Sequence, residues 1–343
     1  MARIVTFGEL LLRLSTPHHQ TIYQAASFDT GFGGAEANVA VAMAGWGHDV
    51  KYISRVPNND ISSAGLSSLK KYGVNVNDVI FGGDRLGLYY LQSGAGARCA
   101  EVIYDRAHSS ITTIQPGMVD WATILNGADI FHWSGISAAV SESAAMVCAE
   151  AIAAAVDLGV TISVDLNYRS KLWKYGKHPS VVMPDLVAQC DIIFGGIDAP
   201  EYYFNIVPEG KLNTKGTLSE QDVLSICTQM LSRFPKAKCF SSTLRNILNA
   251  NHQQLQGIIY NRENIQRSAL HDMPYIVDRV GGGDAFMAGL LHSLSSDAQG
   301  LKAAVDFAAA SSLLKHYIPG DFSLSSKDKI NDLIKGDGKE INR

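Results

Sequence analysis

Three consecutive glycines, Gly281, Gly282 and Gly283, stand directly before Asp284 and the apolar residues Ala285 and Phe286. Amides without Cβ atoms can converge on one point, and the first turn of a helix favours an anion there. An aspartate in that turn lies beside the anion and can accept the proton of an attacking hydroxyl. The amides meanwhile stabilise negative charge on a transferring phosphoryl group. The same residues also make an ordinary helix start, a glycine turn with an acidic first turn. A second glycine-rich stretch, Gly31-Phe32-Gly33-Gly34-Ala35-Glu36-Ala37-Asn38, precedes a run of small residues. Glycine there lets a substrate approach the backbone closely, or lets a helix pack tightly on a sheet. Asn38 can hydrogen-bond a substrate hydroxyl or stitch the turn to its neighbours.

These segments sit in a chain where apolar strands alternate with helices. Residues 4–7, 50–54, 129–133, 160–166, 191–194 and 238–242 read as strands, and 247–250 with 255–260 as a hairpin. Residues 35–47, 62–72, 141–158, 221–234, 283–294 and 301–314 read as helices, with Gly73 and Gly159 as stops. The alternation predicts an α/β fold: a mostly parallel sheet, helices on both faces, and ligands beyond the carboxyl ends of the strands. Residues 79–104 break the pattern. Strands at 79–81, 86–91 and 100–104 are separated by glycine turns without a helix, which predicts a small antiparallel sheet lying over the site as a lid. Apolar segments at 10–14 and 28–32 flank a polar loop. The expected organisation is one domain over residues 1–325, with lid segments at about 10–32 and 79–112, and a polar C-terminal helix or tail over 326–343.

Composition narrows the function. The chain has 343 residues and a net charge of −4, so no basic excess points to nucleic acid. The five cysteines, Cys99, Cys148, Cys190, Cys227 and Cys239, form no CxxC pair and read as reduced and mostly buried in a cytoplasmic protein. The N-terminus reads as a strand, not a signal peptide. The most apolar stretch, 144–164, carries Glu150 and Asp157, which argues against a membrane span. No GxxxxGK[ST], GxGxxG or HExxH motif occurs.

Gly33-Gly34 with Asn38, together with the segment from Asp278 to Asp284, resemble the paired signatures of the ribokinase-like (PfkB) carbohydrate kinases. The resemblance runs from Val5 to about Asp321. Arg279 stands where the family signature carries Thr, and Gly282 where it carries Ala. It implies a ribokinase-like, Rossmann-like domain with a small β-sheet lid, ATP as phosphoryl donor and Mg²⁺ as cofactor. It also implies Asp284 as general base and Gly281, Gly282 and Gly283 as the anion hole.

The segments 87–90, 104–110, 165–173 and 315–321 are similar to those of 2-dehydro-3-deoxygluconate kinases. This implies phosphorylation of an acidic sugar at its terminal hydroxyl. Gly34 would contact the sugar through its backbone, and Tyr89 and Tyr104 would supply hydroxyls and ring faces. Tyr90 rivals Tyr89, because strand alternation turns only one inward. Arg106 and Arg169 would hold the carboxylate through charge-assisted bidentate contacts, and Asn38 is a further sugar candidate. On the nucleotide side the resemblance implies Ser241, Thr243, Arg245, Gly281, Gly283 and Lys315, with His316 near the adenine. Lys315 reads equally as a partner for a helix C-terminus.

One departure concerns the metal. The family's Asn-x-x-Glu element maps onto 194–201, where Gly196 replaces the expected Asn and Asp198 or Glu201 is left for the role. Two alternatives stay open: a kinase of a neutral sugar such as fructose or ribose, and a non-catalytic sugar-binding regulator with the same fold. Expected partners are a sugar acid and ATP, with neither nucleic acid nor membrane. A lid sheet with an exposed face and edges also suggests a homodimer or higher homo-oligomer.

Overall fold

The computed structural model describes residues 1–295 and 300–336. In chain order the strands are β1 (Arg3–Phe7), β2 (Leu11–Ser15), β3 (Asp29–Gly33), β4 (Asp49–Ile53), β5 (Arg55–Val56), β6 (Ile80–Phe81), β7 (Gly87–Gln92) and β8 (Glu101–Asp105). They continue as β9 (Ile130–Ser134), β10 (Thr161–Asp165), β11 (Ile192–Gly196), β12 (Cys239–Ile247), β13 (Gln253–Tyr260), β14 (Ile265–Arg267) and β15 (His271–Met273).

Nine of these strands form the main sheet, in the order β14-β13-β12-β11-β10-β9-β1-β4, with β15 also on β13. From β12 to β4 every pairing is parallel, while β13 meets its neighbours antiparallel. The parallel strands are apolar on both sides, and successive residues face opposite ways. Val5, Phe7, Phe131, Trp133 and Ile193 enter one core with the helices Glu142–Asp157, Pro179–Val187 and Glu220–Arg233. Ile4, Ile130, Ile192 and Phe194 enter the other, with Ala35–Gly45, Gly282–Leu294 and Gly300–Lys315. Burying each large apolar side chain is worth about 1.5–3 kcal/mol, so the sheet is held from both faces. Local signals fix the helix starts: Ser141 accepts from Ala144 N, and Ser219 with Asp222 forms a reciprocal capping box.

The small sheet has the order β3-β2-β7-β8, and it differs from the antiparallel sheet expected over 79–104. Its outer pairs are antiparallel, but β2 and β7 run parallel. A parallel pair needs a long crossover, and residues 16–86 supply one that passes through β3, β4 and the helices Ala35–Gly45 and Asp60–Lys71. β6 is not part of this sheet; it pairs with β5 separately. The hairpin also differs, because β12 runs unbroken to Ile247 and pairs with β13 along that length. Pairing with β13 carries the polar residues past Ser242 as strand, so the strand expected at 238–242 and the first arm of the hairpin are one element.

After Ser326, Lys327–Lys335 is a helix with Ile330 buried; residues 337–343 lie outside the described residues. Cys148, Cys190, Cys227 and Cys239 are buried and Cys99 is exposed. Among the described residues no helix is long and apolar enough to cross a membrane.

Candidate active site

A cavity of about 850 Å³ opens beyond the carboxyl ends of the parallel strands. Asp165, Phe194, Gly196 and Thr243 form its floor, and Leu11, Tyr89, Leu91, Val102 and Tyr104 of the small sheet line the opposite wall. The register places Arg13 opposite Tyr89, and Tyr89 opposite Tyr104, in one row on one face of that sheet. Tyr90 turns to the other face and packs against Phe28, ring centroids 5.7 Å apart.

Gly281 enters the helix at φ +80°, a left-handed conformation natural to glycine. A Cβ there would lie 2.0 Å from the Asp321 carbonyl oxygen, so the loop runs hard against that backbone. Three residues on, Asp284 is buried and accepts a 2.6 Å hydrogen bond from Asn38 Nδ2. Asn38 therefore does stitch its turn to a neighbour, but one 246 residues away in sequence.

Burial pushes the Asp284 carboxyl up to about 6, with Asp321 and Glu36 adding to the rise and Asn38 and Arg169 opposing it. Asp165, at the end of β10, is pushed up to about 8 by burial and by the charge of Asp284. Asp165 is thus raised further than Asp284, and Asp284 is the more readily ionised of the two. A buried, ionised and oriented carboxylate at the mouth of a glycine loop is suited to take a proton from a hydroxyl.

Behind this pair lies a buried ionic cluster. Arg13 donates to Asp321 Oδ1 at 2.9 Å, to Asp278 Oδ2 at 2.5 Å and to Ser15 Oγ at 2.6 Å. The Tyr89 hydroxyl donates to the Asp321 carboxylate at 2.7 Å. Asp278 also accepts from Val280 N and Gly320 N, both at 3.0 Å. Burial alone would lower the Arg13 pKa; its anionic neighbours outweigh that and keep it charged.

Of the residues singled out in the sequence, the cavity brings together Gly34, Asn38, Tyr89, Tyr104, Arg106, Arg169, Thr243, Arg245, Gly281, Gly283 and Asp284. Others stand behind the wall. Ser241 is fully buried in the sheet and donates to the Ile258 carbonyl at 2.7 Å. Lys315 is fully buried beneath the glycine loop, its ammonium on the Ile318 carbonyl at 3.0 Å. Gly282 backs onto the His316 ring, whose Nδ1 lies 2.6 Å from the Ser312 carbonyl. Lys315 and His316 support the glycine loop from below, and Ser241 lies within the main sheet; the cavity lining includes none of these three side chains.

The two arginines also differ from a matched pair. Arg106 is buried and forks onto Glu9, at 2.8 Å through Nε and 2.5 Å through Nη2, so its charge is already neutralised. Arg169 is exposed and donates to its neighbour's carbonyl on Tyr168 at 2.9 Å; among the described residues it makes no ion pair, although its charge acts on Asp165 and Asp284 across the cavity.

Gly196 has a physical reason: a Cβ there would lie 2.7 Å from Asp198 Oδ1, so glycine makes room for that carboxylate. Glu201 is occupied, accepting from Thr214 N at 2.8 Å and Thr214 Oγ1 at 2.6 Å. Asp198 lines the cavity. Among the described residues no group of three or more His, Cys, Asp or Glu converges on a metal site. Magnesium binds through one or two carboxylates together with substrate phosphates and waters, and Asp198 fits that arrangement.

Sequence reasoning missed Glu9, Arg13, Asp165 and Asp321. Two signals were available. Arg13 interrupts the apolar strand Leu11-Leu12-Arg13-Leu14, and Asp165 ends an apolar strand where ligands of parallel sheets gather.

The pattern described as pfkB family carbohydrate kinase matches residues 1–199. The 2-dehydro-3-deoxygalactonokinase of Haloferax volcanii is 28% identical over 100% of this chain and 99% of its own length. The 2-dehydro-3-deoxygluconokinase of Bacillus subtilis is 26% identical over 95% of this chain and 93% of its own. The crystal structure of 2-dehydro-3-deoxygluconokinase from Thermotoga maritima superposes with a TM-score of 0.91 at 36% identity, covering 98% of both chains.

Arg13→Ala strands Asp278 and Asp321 as buried, unpaired carboxylates. It should lower stability by about 3–5 kcal/mol, read as a lower urea midpoint; an unchanged midpoint would remove the cluster from its structural role.

Proposed function

The chain belongs to the pfkB family of carbohydrate kinases, and from that premise we propose that it transfers the γ-phosphoryl group of ATP to the terminal hydroxyl of 2-dehydro-3-deoxygluconate, giving the 6-phosphate. The observation that carries the substrate is Arg169, a guanidinium on the cavity wall with no carboxylate partner among the described residues, in the same cavity as Asp284. A sugar carboxylate supplies the missing counter-ion through a bidentate contact. A neutral sugar would leave that charge unmatched. The names of the similar proteins from Haloferax volcanii, Bacillus subtilis and Thermotoga maritima support the same substrate class.

In this reading the sugar lies between the small sheet and the strand ends, with Tyr89, Tyr104 and the Gly34 backbone along its length. Asp284, ionised and oriented by Asn38, takes the proton of the terminal hydroxyl as its oxygen attacks phosphorus. The amides of the glycine run stabilise charge on the transferring group. Magnesium, when bound, neutralises charge on the β- and γ-oxygens, and Asp198 would hold it through one carboxylate. The small sheet acts as a lid that excludes water and limits wasteful hydrolysis of ATP.

Asp284→Asn should lower kcat by a factor on the order of 10² or more while sugar binding is kept. In the wild type, kcat should fall as pH drops below about 6, where Asp284 protonates. Near-wild-type turnover of the variant in a steady-state assay removes Asp284 from the base role. For the carboxylate contact, Arg169→Gln should weaken binding of the sugar acid roughly tenfold or more, the scale of a charge-assisted hydrogen bond, and leave a neutral ketose such as fructose unaffected. Equal losses for both ligands in calorimetric titrations would place Arg169 elsewhere.

A further inference from the structure

Three arginines, Arg169, Arg245 and Arg279, stand on the cavity wall, and Arg245 lies within electrostatic reach of the other two. Like charges this close repel, and two of the three are anchored. Arg279 donates to the Asn249 carbonyl at 2.5 Å and faces the side-chain amide of Gln253. Arg169 donates to the Tyr168 carbonyl at 2.9 Å. The Arg245 side chain makes no hydrogen bond or ion pair among the described residues; Asp165 and Asp284 act on its charge only through the field across the cavity.

Its position is set by the sheet. Arg245 lies opposite Leu255 in the β12–β13 register, two residues beyond Thr243. Alternation therefore puts Thr243 and Arg245 on the cavity side, while Leu244 packs against the core. The side chain reaches the glycine run: Arg245 Nη2 is 3.9 Å from where a Cβ on Gly283 would lie. Gly283 immediately precedes Asp284. The guanidinium thus stands beside the glycine run, one residue before Asp284.

We propose that Arg245 is a catalytic residue, whose guanidinium contacts an equatorial oxygen of the transferring phosphoryl group and stabilises its charge in the transition state. This rests on the kinase reading above. In the step, the substrate oxygen forms a bond to the γ-phosphorus and its proton passes to Asp284. The bond from that phosphorus to the β-γ bridging oxygen breaks, and ADP leaves with the electron pair. Charge spreads over the three equatorial oxygens during this exchange. A forked donor beside the glycine amides meets those oxygens, whereas the anchored Arg279 cannot follow them. The guanidinium, which has no direct ion pair in the free enzyme, gains one when the phosphoryl group arrives, and most fully in the transition state.

The test compares Arg245→Ala, Arg245→Gln and Arg245→Lys with the wild type. Because the side chain is exposed and without a structural partner, the variants should keep the wild-type urea midpoint. Arg245→Gln and Arg245→Ala should lose kcat by a factor on the order of 10²–10³, the scale of one oxyanion donor, with the KM for ATP nearly unchanged. Arg245→Lys should recover part of the loss, and added guanidinium ion at millimolar concentration should raise turnover of Arg245→Ala. ADP with aluminium fluoride should bind the variants more weakly in proportion to the lost kcat, while ADP alone binds as before. A loss that appears in the KM for ATP and the Kd of ADP, with kcat intact, would make Arg245 a ground-state nucleotide contact and overturn the assignment. So would unchanged kinetics. A wild-type chain that releases no ADP with any sugar overturns the kinase reading itself, and this assignment with it.

Discussion

Everything at the site hangs on the buried salt-bridge cluster of Arg13 with Asp278 and Asp321. Arg13 comes from the small sheet, Asp278 from the approach to the glycine loop, and Asp321 from the segment after the last long helix. Asp321 is the hub. A Cβ on Gly33 would lie 2.0 Å from its carboxylate, and one on Gly281 would lie 2.0 Å from its carbonyl. Both glycine motifs are therefore shaped around one residue. A buried pair of this kind is weak evidence of net stability, but losing one partner leaves a charge that nothing else can solvate. The small sheet, the loop and the tail segment are thus obliged to keep one mutual arrangement.

That arrangement controls the charge balance above it. Asp165 and Asp284 both line the cavity; burial raises both carboxyls, and the charge of Asp284 raises Asp165 further. Arg106 is consumed by Glu9 and Arg13 by its two aspartates. Among the described residues that line the cavity, Arg169 and Arg245 are exposed and make no ion pair. Burial divides these arginines: Arg13 and Arg106 are buried in ion pairs, while Arg169 and Arg245 are exposed on the cavity wall.

Much of the fold was legible in the chain. Strand–helix alternation gave a mostly parallel sheet with helices on both faces, because buried parallel strands carry continuous apolar runs. Tyr89 and Tyr104 could be named together, and the register sets them opposite each other on one face. What could not be read was partnership between distant residues. Arg106 looked like half of a carboxylate clamp because nothing in its own segment announces Glu9. Lys315 and Ser241 lie in segments that border the cavity, yet their side chains turn beneath it. Gly196 looked like a lost ligand until Asp198 filled the space beside it. The parallel pairing of β2 with β7 depends on a crossover path, which local turn signals do not encode.

The central claim is that this cavity selects a 3-deoxy sugar acid over a neutral sugar. The most direct measurement is ADP release, coupled to NADH oxidation, with 2-dehydro-3-deoxygluconate, its galactonate epimer, fructose and ribose offered in turn. The account predicts turnover with one or both sugar acids and kcat/KM for the neutral sugars lower by a factor on the order of 10² or more, the scale of a charge-assisted contact. Fructose or ribose turned over as efficiently as either acid would contradict it.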